Sequence, residues 1–304
     1  MIKRPKFFDM PTGHSGAGWH AIESFIRCPK EYQFAQVRRI KRGSPFIPAP
    51  LSIGLLLHAA RAQWLYDERK GDLWKEGMQR YAAKTEAEEG KLAPGSMQAA
   101  RDLFVGYESY WKVRPTTQVL AIEHLMSLRG VRSGAPAWAF RTARYDSIEK
   151  WRGKTWIGEL KSTSDSANRL SEQYALHGQL LLQMALWGEE EDDTFGPLEG
   201  VLIDPMLKRG ASVGAPRIEI RKSECEHALS WFRKDLQMWL LQAQMVDWDA
   251  GVERKPNCMR TYGPCEFRGL CLKGRKGANP FVLENGKALV TWQPSSGQTT
   301  PPWE

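Results

Sequence analysis

The chain has 304 residues, 42% of them hydrophobic and 26% charged, a balance that excludes disorder and is enough to build one large domain or two small ones. No apolar run approaches the roughly 18 residues that would cross a bilayer, and the basic start MIKRPKFFDMPTGHSG lacks the apolar stretch of a secretory signal, so a soluble, cytoplasmic protein with no membrane partner is expected. The net charge of +8 favours a polyanionic partner such as nucleic acid.

In chain order, Ile22, Phe25 and Ile26 share one face of a first helix over 19–39, which the proline-rich stretch from Ser44 to Pro50 ends. Helices follow over 52–69, 72–90 and 96–113, separated by Gly71 and by Ala93-Pro94-Gly95. From Gln118 the pattern turns to strands over 118–129, 138–151 and 154–163, with Arg152-Gly153 as the turn between the last two. Residues 168–188 return to helical periodicity, and 199–205 and 216–221 are short strands. Ser223 and Glu226 form a capping box for a helix to about Trp248. The tail 285–304, rich in Ser, Pro, Gly and Thr, is expected to be a flexible end or a small docking segment. The order predicts an α/β fold with antiparallel elements, forming one domain over 1–284.

The hairpin carries the chemistry. Pairing outward from a two-residue turn sets Asp146 opposite Glu159 and Arg144 opposite Lys161, all on one face. Two carboxylates opposed at about 5 Å repel, and a divalent cation between them relieves this. Lys161, two residues from Glu159, then places an ammonium beside the metal, where it can stabilise charge growing on a phosphate. The alternative is an exposed charged face of an antiparallel sheet.

Cys258, Cys265 and Cys271 crowd into a Gly/Pro-containing segment, which in a reducing compartment reads as metal or cluster ligation rather than disulfide bonding. Thiolates hold zinc or an iron-sulfur cluster, and spacing does not separate the two. Cys225 falls in a predicted helix and reads as a packed residue. Of the 13 tryptophans, Trp64, Trp74, Trp111, Trp151 and Trp156 lie among Arg61, Lys75, Lys112, Arg152 and Lys154, an interleaving that suits stacking of single-stranded bases. Core packing on helical faces is the competing account for Trp64, Trp111, Trp187 and Trp239.

Asp146 followed by Glu159-Leu160-Lys161 resembles the D…(D/E)xK core of the PD-(D/E)XK nucleases. Gly54-Leu55-Leu56-Leu57-His58 resembles the upstream GxxxH motif of the RecB-like members, and Gln179 resembles the glutamine of their QxxxY helix, although Gln183 stands where the family has Tyr. The opening Ser24-Phe25-Ile26-Arg27-Cys28-Pro29-Lys30-Glu31-Tyr32 and the block Cys265 to Cys271 resemble the terminal segments of iron-sulfur nucleases of the AddB and CRISPR-adaptation type. The resemblance implies a restriction-endonuclease-like core. In it a central mixed sheet is flanked by helices, with a helical insertion at 52–115 and terminal segments 19–32 and 256–272 stapled by a 4Fe-4S cluster on Cys28, Cys258, Cys265 and Cys271. Zinc is the less favoured occupant.

The resemblance further implies Mg2+ or Mn2+ on His58, Asp146 and Glu159, with Lys161 and Gln179 completing a catalytic set. Glu123 matches an acidic position near such sites but reads equally as a strand-surface charge. The implied activity is a metal-dependent DNA exonuclease acting on ends or single strands in recombination, repair or replication, with a phage origin and a recombination or replication protein as partner. No GxxxxGK[ST] stretch occurs, so unwinding by the chain's own ATPase is not expected. A non-catalytic DNA-binding or scaffold protein with a structural metal centre, and an RNA-processing nuclease, are the rival functions.

Overall fold

Proline decides where the first predicted helix ends. Helix α1 (Trp19–Arg27) stops at Cys28, whose backbone is extended (φ −160°, ψ 108°), because Pro29 crowds the α region of the residue before it. Helix α2 (Pro29–Tyr32) restarts with Pro29 in its first turn and passes into a π turn, Gln33–Val37. The structure, a computed structural model, describes residues 18–37, 40–42, 46–88, 90–114, 117–127, 142–164, 166–174, 176–208, 213–246, 259–260, 263–265, 267–273 and 281–282. Cys258, the expected tail at 285–304 and the parts of the predicted strands between 128 and 141 lie outside them.

The chain divides into two compact units, one of 1–13, 46–128 and 142–234, the other of 14–45, 129–141 and 235–304. In the first, helices α3 (Ala49–Tyr66), α4 (Trp74–Glu88) and α5 (Ser96–Lys112) follow the predicted helical block. They share a core of Leu56, Leu57, Trp64, Trp74, Met78, Phe104, Tyr107 and Trp111, each side chain contributing about 1.5–3 kcal/mol on burial. The Trp64 ring meets Phe104 edge-on at 6.0 Å and Tyr107 at 5.8 Å. Trp64, Trp74, Trp111 and Trp156 are thus core residues, 5% exposed or less. Short strands β2 (Phe46–Ile47) and β3 (Lys91–Leu92) pair in parallel beside this block.

The sheet is mixed and five-stranded: β4 (Gln118–Ser127), β5 (Thr142–Trp151), β6 (Lys154–Thr163), β7 (Leu198–Leu207) and β8 (Ile218–Arg221), adjacent in that order. Arg152 and Gly153 both have positive φ (51° and 76°), as a two-residue hairpin turn requires. The register runs outward from that turn as predicted from Trp151 with Lys154 through Ser147 with Gly158, and the ladder ends there, short of the expected pairs Asp146 with Glu159 and Arg144 with Lys161. Strands β6 and β7 are parallel, which demands a crossover. Helices α6 (Ala167–Tyr174), α7 (Gly178–Leu186) and α8 (Glu189–Phe195) supply it.

Two expectations are revised here. The single helix over 168–188 is two, because His177 is extended (φ −70°, ψ 129°) and its side chain accepts from the Gln179 N–H as the cap of α7. In place of the Ser223–Glu226 capping box a 3-10 turn, Lys222–Cys225, with no side-chain cap bond from Arg221, leads into α9 (Glu226–Met245).

The second unit joins the two ends of the chain. Strand β1 (Lys41–Arg42) pairs with β11 (Phe281–Val282), β9 (Met259–Arg260) pairs with β10 (Gly263–Pro264), and α10 (Arg268–Lys273) follows. Phe34 and Ile40 pack with Phe267 and Leu270, the two phenyl rings 5.6 Å apart.

Candidate active site

Three elements converge on the start of the hairpin. Helix α3 supplies His58, whose Nδ1 lies 3.1 Å from Asp146 Oδ1 on β5. The other Asp146 oxygen accepts the backbone N–H of Leu160 at 2.8 Å, two residues beyond Gly158, the last paired residue of β6 in the hairpin. The ladder between β4 and β5 passes from Ile122–Ser147 to His124–Tyr145 and skips the pair between them, Glu123 and Asp146. Glu123 has φ 50°, a conformation that non-glycine residues rarely adopt and that clusters at functional sites. The distortion places one ligand atom each of His58, Glu123 and Asp146 within 4.8 Å of one another.

The charges are set by burial and by each other. Burial alone would push the Asp146 carboxyl up, but the His58 imidazole, Arg61 and the Leu160 amide hold it below the usual carboxylate range. Burial dominates at Glu123, raising it to about 7 against the pull of Arg144, whose Nε lies 3.0 Å away. His58 is raised because Asp146 outweighs the loss of water.

Glu159 is held separately. Its Oε1 lies 2.6 Å from Lys161 Nζ and accepts from Gln179 Nε2 at 2.7 Å, while its Oε2 accepts from Gln183 Nε2 at 2.9 Å. Lys161 also donates to Gln179 Oε1 at 2.9 Å, and its ammonium stands 5.3 Å from the Tyr174 ring centroid. Burial would lower the Lys161 amine, and Glu159, Tyr174 and Asp146 together raise it above its ordinary value. Of the predicted residues, His58 and Asp146 thus form one group and Glu159, Lys161 and Gln179 a second, within range of each other's charge, and the choice between Gln179 and Gln183 dissolves, since both grip Glu159.

Beside this set lies a buried network that the sequence did not announce. Arg61, one helical turn after His58, donates to Glu149 Oε1 (3.0 Å), Asp204 Oδ2 (2.7 Å) and Ser147 Oγ (3.2 Å). Arg217 binds both Asp204 oxygens (2.6 and 3.1 Å) and meets Glu149 Oε2 at 2.9 Å. Tyr107 and Thr117 add hydroxyl bonds to Asp204 and Glu149. Gly158 gives this network room: a Cβ there would lie 2.2 Å from Ser147 Oγ and 2.8 Å from Glu149 Oε1. The available signal was Arg61 in a helix apolar on nearly every side and Asp204 inside the run Val201 to Leu207, where an unpaired charge would be too costly to bury.

Of the cysteines, Cys28 is buried, and Cys265 and Cys271 are half-buried against the Phe34–Phe267 cluster. Cys265 Sγ donates to Glu31 Oε2 at 3.8 Å, so the N-terminal and C-terminal motif segments meet within the second unit. Cys225 is buried in the 3-10 turn after β8.

The family model of the PD-(D/E)XK nuclease superfamily matches residues 19–272. The chain belongs to that superfamily. No curated protein matches it. The five-stranded mixed sheet flanked by helices is consistent with the restriction-endonuclease-like core, and membership points to a metal-dependent nuclease acting on nucleic acid. One imidazole nitrogen and two carboxylate oxygens could hold a divalent cation, the carboxylates suiting Mg2+ or Mn2+ and the imidazole favouring Mn2+ of the two. Among the described residues, no helix is long and apolar enough to cross a membrane.

Proposed function

We propose that this chain is a metal-dependent DNA exonuclease working on ends or single strands. The observation that carries the reading is the meeting of His58 and Asp146 at 3.1 Å, with Glu123 beside them, next to a strand bearing Glu159 and Lys161. His58, Glu123 and Asp146 would hold Mg2+ or Mn2+, with Glu159 at its border. Such an ion supplies an activated water and neutralises charge on the scissile phosphate. Lys161, fixed by Glu159 and Gln179, offsets the negative charge that grows on the phosphate oxygens. Gln179 and Gln183 keep Glu159 oriented without adding charge.

The meeting of the terminal segments supports a second element of the reading, a 4Fe-4S cluster on Cys28, Cys258, Cys265 and Cys271, whose soft thiolates suit iron-sulfur or zinc. The cluster would tie the ends of the chain and take no part in hydrolysis. Without an ATPase motif the enzyme would depend on ends, flaps or strands opened by a recombination or replication partner.

The test is end-labelled linear DNA, closed circular DNA and RNA incubated with the protein in Mg2+, Mn2+ or EDTA, beside Lys161→Ala. Metal-dependent release of label from linear DNA, with circles and RNA intact, is expected. Cleavage in EDTA, or of RNA alone, overturns the reading.

A further inference from the structure

At the turn end of β5 the sheet and helix α5 form a half-open pocket of about 420 Å³, lined by Tyr110, Trp111, Trp151, Arg114, Arg152 and Arg217 together with Glu219. The Arg217 guanidinium lies 4.9 Å from the Trp111 ring centroid and 5.5 Å from that of Trp151. Because Asp204 and Glu149 hold Arg217 from behind, it is a fixed post between two indoles rather than a mobile surface charge. Trp151 is tethered in turn, its Nε1 donating to Glu219 Oε1 at 3.4 Å. Arg114 stacks on Tyr110 at 3.3 Å, and Arg152 lies 5.3 Å from the Trp151 centroid. The buried indole N–H of Trp111 has no hydrogen-bond partner, an unmet polar group in the pocket's own lining.

We propose that this pocket stacks one nucleobase of a single-stranded DNA, with Arg114 and Arg152 on the flanking phosphates. Aromatic faces accept any base, and arginine supplies both stacking and phosphate contact. The pocket is of ligand size, and Glu219, which would repel a phosphate, is already paired with Arg152 (2.9 Å) and Arg221 (3.1 Å). Trp151 stands five residues along β5 from Asp146, about 17 Å at roughly 3.3 Å per residue. A strand anchored here would therefore reach the site only if a few further nucleotides lay between the stacked base and the scissile bond. The role assigned to the strand as substrate rests on the nuclease reading, whereas the chemistry of the pocket does not.

The test is fluorescence anisotropy with labelled oligothymidylate in EDTA, so that no cleavage is needed. Trp151→Leu should weaken binding by about five- to a hundred-fold, the range of one lost base stack. Arg114→Gln and Arg152→Gln should each reduce the slope of log affinity against log salt by about 0.7; these two also carry the test if Trp151→Leu does not fold. Unchanged affinity and slope in the folded variants overturn the inference. So does thymidine 5′-phosphate competing as tightly as the oligonucleotide, which would make the pocket a free-nucleotide site. An equal loss on duplex DNA overturns the commitment to single strands. A protein that cleaves nothing yet shows these losses refutes the nuclease reading alone, and one that cleaves but binds unchanged refutes the pocket alone.

Discussion

Gln183 reaches Glu159 Oε2 at 2.9 Å from one turn beyond Gln179, whose amide takes Oε1 at 2.7 Å. The two differ in burial: Gln183 is 1% exposed, Gln179 half-buried at the site. Gln183→Leu should therefore cost stability, about 1–3 kcal/mol for the carboxylate oxygen left unsatisfied, seen in the urea midpoint. Gln179→Leu should mainly lower the cleavage rate. The reverse pattern would reject this division.

Asp146→Asn and Glu123→Gln each remove a ligand carboxylate with little change of volume. Cleavage should fall by more than about 100-fold, and Mn2+ binding by calorimetry should weaken in both while the circular dichroism spectrum is retained. Glu159→Gln should also abolish cleavage. Full Mn2+ affinity in Glu123→Gln would return that residue to the role of partner to Arg144.

Lys161→Ala should lower the rate by about 100- to 1000-fold, the worth of one electrostatic contact to a developing oxyanion. Its effect on Mn2+ affinity should be small, because the ammonium is not a ligand. A comparable loss of metal affinity would contradict that.

His177 is pushed down to about 4, first by burial and then by the nearby Lys161 ammonium, so the folded state prefers it neutral. The unfolded chain takes up its proton near pH 6.5. This stabilisation is complete above that value and is lost as pH falls through about 4. His177→Asn keeps a cap acceptor for α7 but cannot titrate. Urea midpoints should show the variant gaining on the wild type between pH 6.5 and 4, and parallel curves would remove His177 from the account.

Cys28→Ser should remove the visible iron-sulfur absorption of anaerobically purified protein and lower its thermal midpoint, while Cys225→Ser should alter neither. Iron and sulfide analysis decides: a full cluster in Cys28→Ser, or its loss in Cys225→Ser, defeats the assignment.

The hairpin was legible because a period of two and a two-residue turn leave one register, and a slip would exchange the faces of the sheet. His58 was legible through the spacing from Gly54. Glu123 was not, because only the skipped pair opposite Asp146 separates it from an ordinary strand carboxylate beside Arg144. Glu149 and Asp204 were harder still: charge in sequence reads as surface, and their burial depends on Arg61 and Arg217 arriving from a distant helix and from the segment before β8. The break at Cys28 was written in Pro29 and overridden by the apolar spacing around it.

Gly158 has a consequence for how this enzyme can diversify. It directly precedes Glu159, and any side chain there would collide with Ser147 and Glu149, in a buried polar cluster that cannot repack around a lost bond. A saturation scan scored by cleavage would rank Gly158 beside the acids, although it touches no substrate. Scored by soluble expression, the same scan would set it apart from Asp146 and Lys161. Strand β6 is thus bound by two selections at neighbouring positions, one for folding and one for chemistry, so new specificities are more readily drawn from the pocket at the hairpin turn than from the strand that bears the motif.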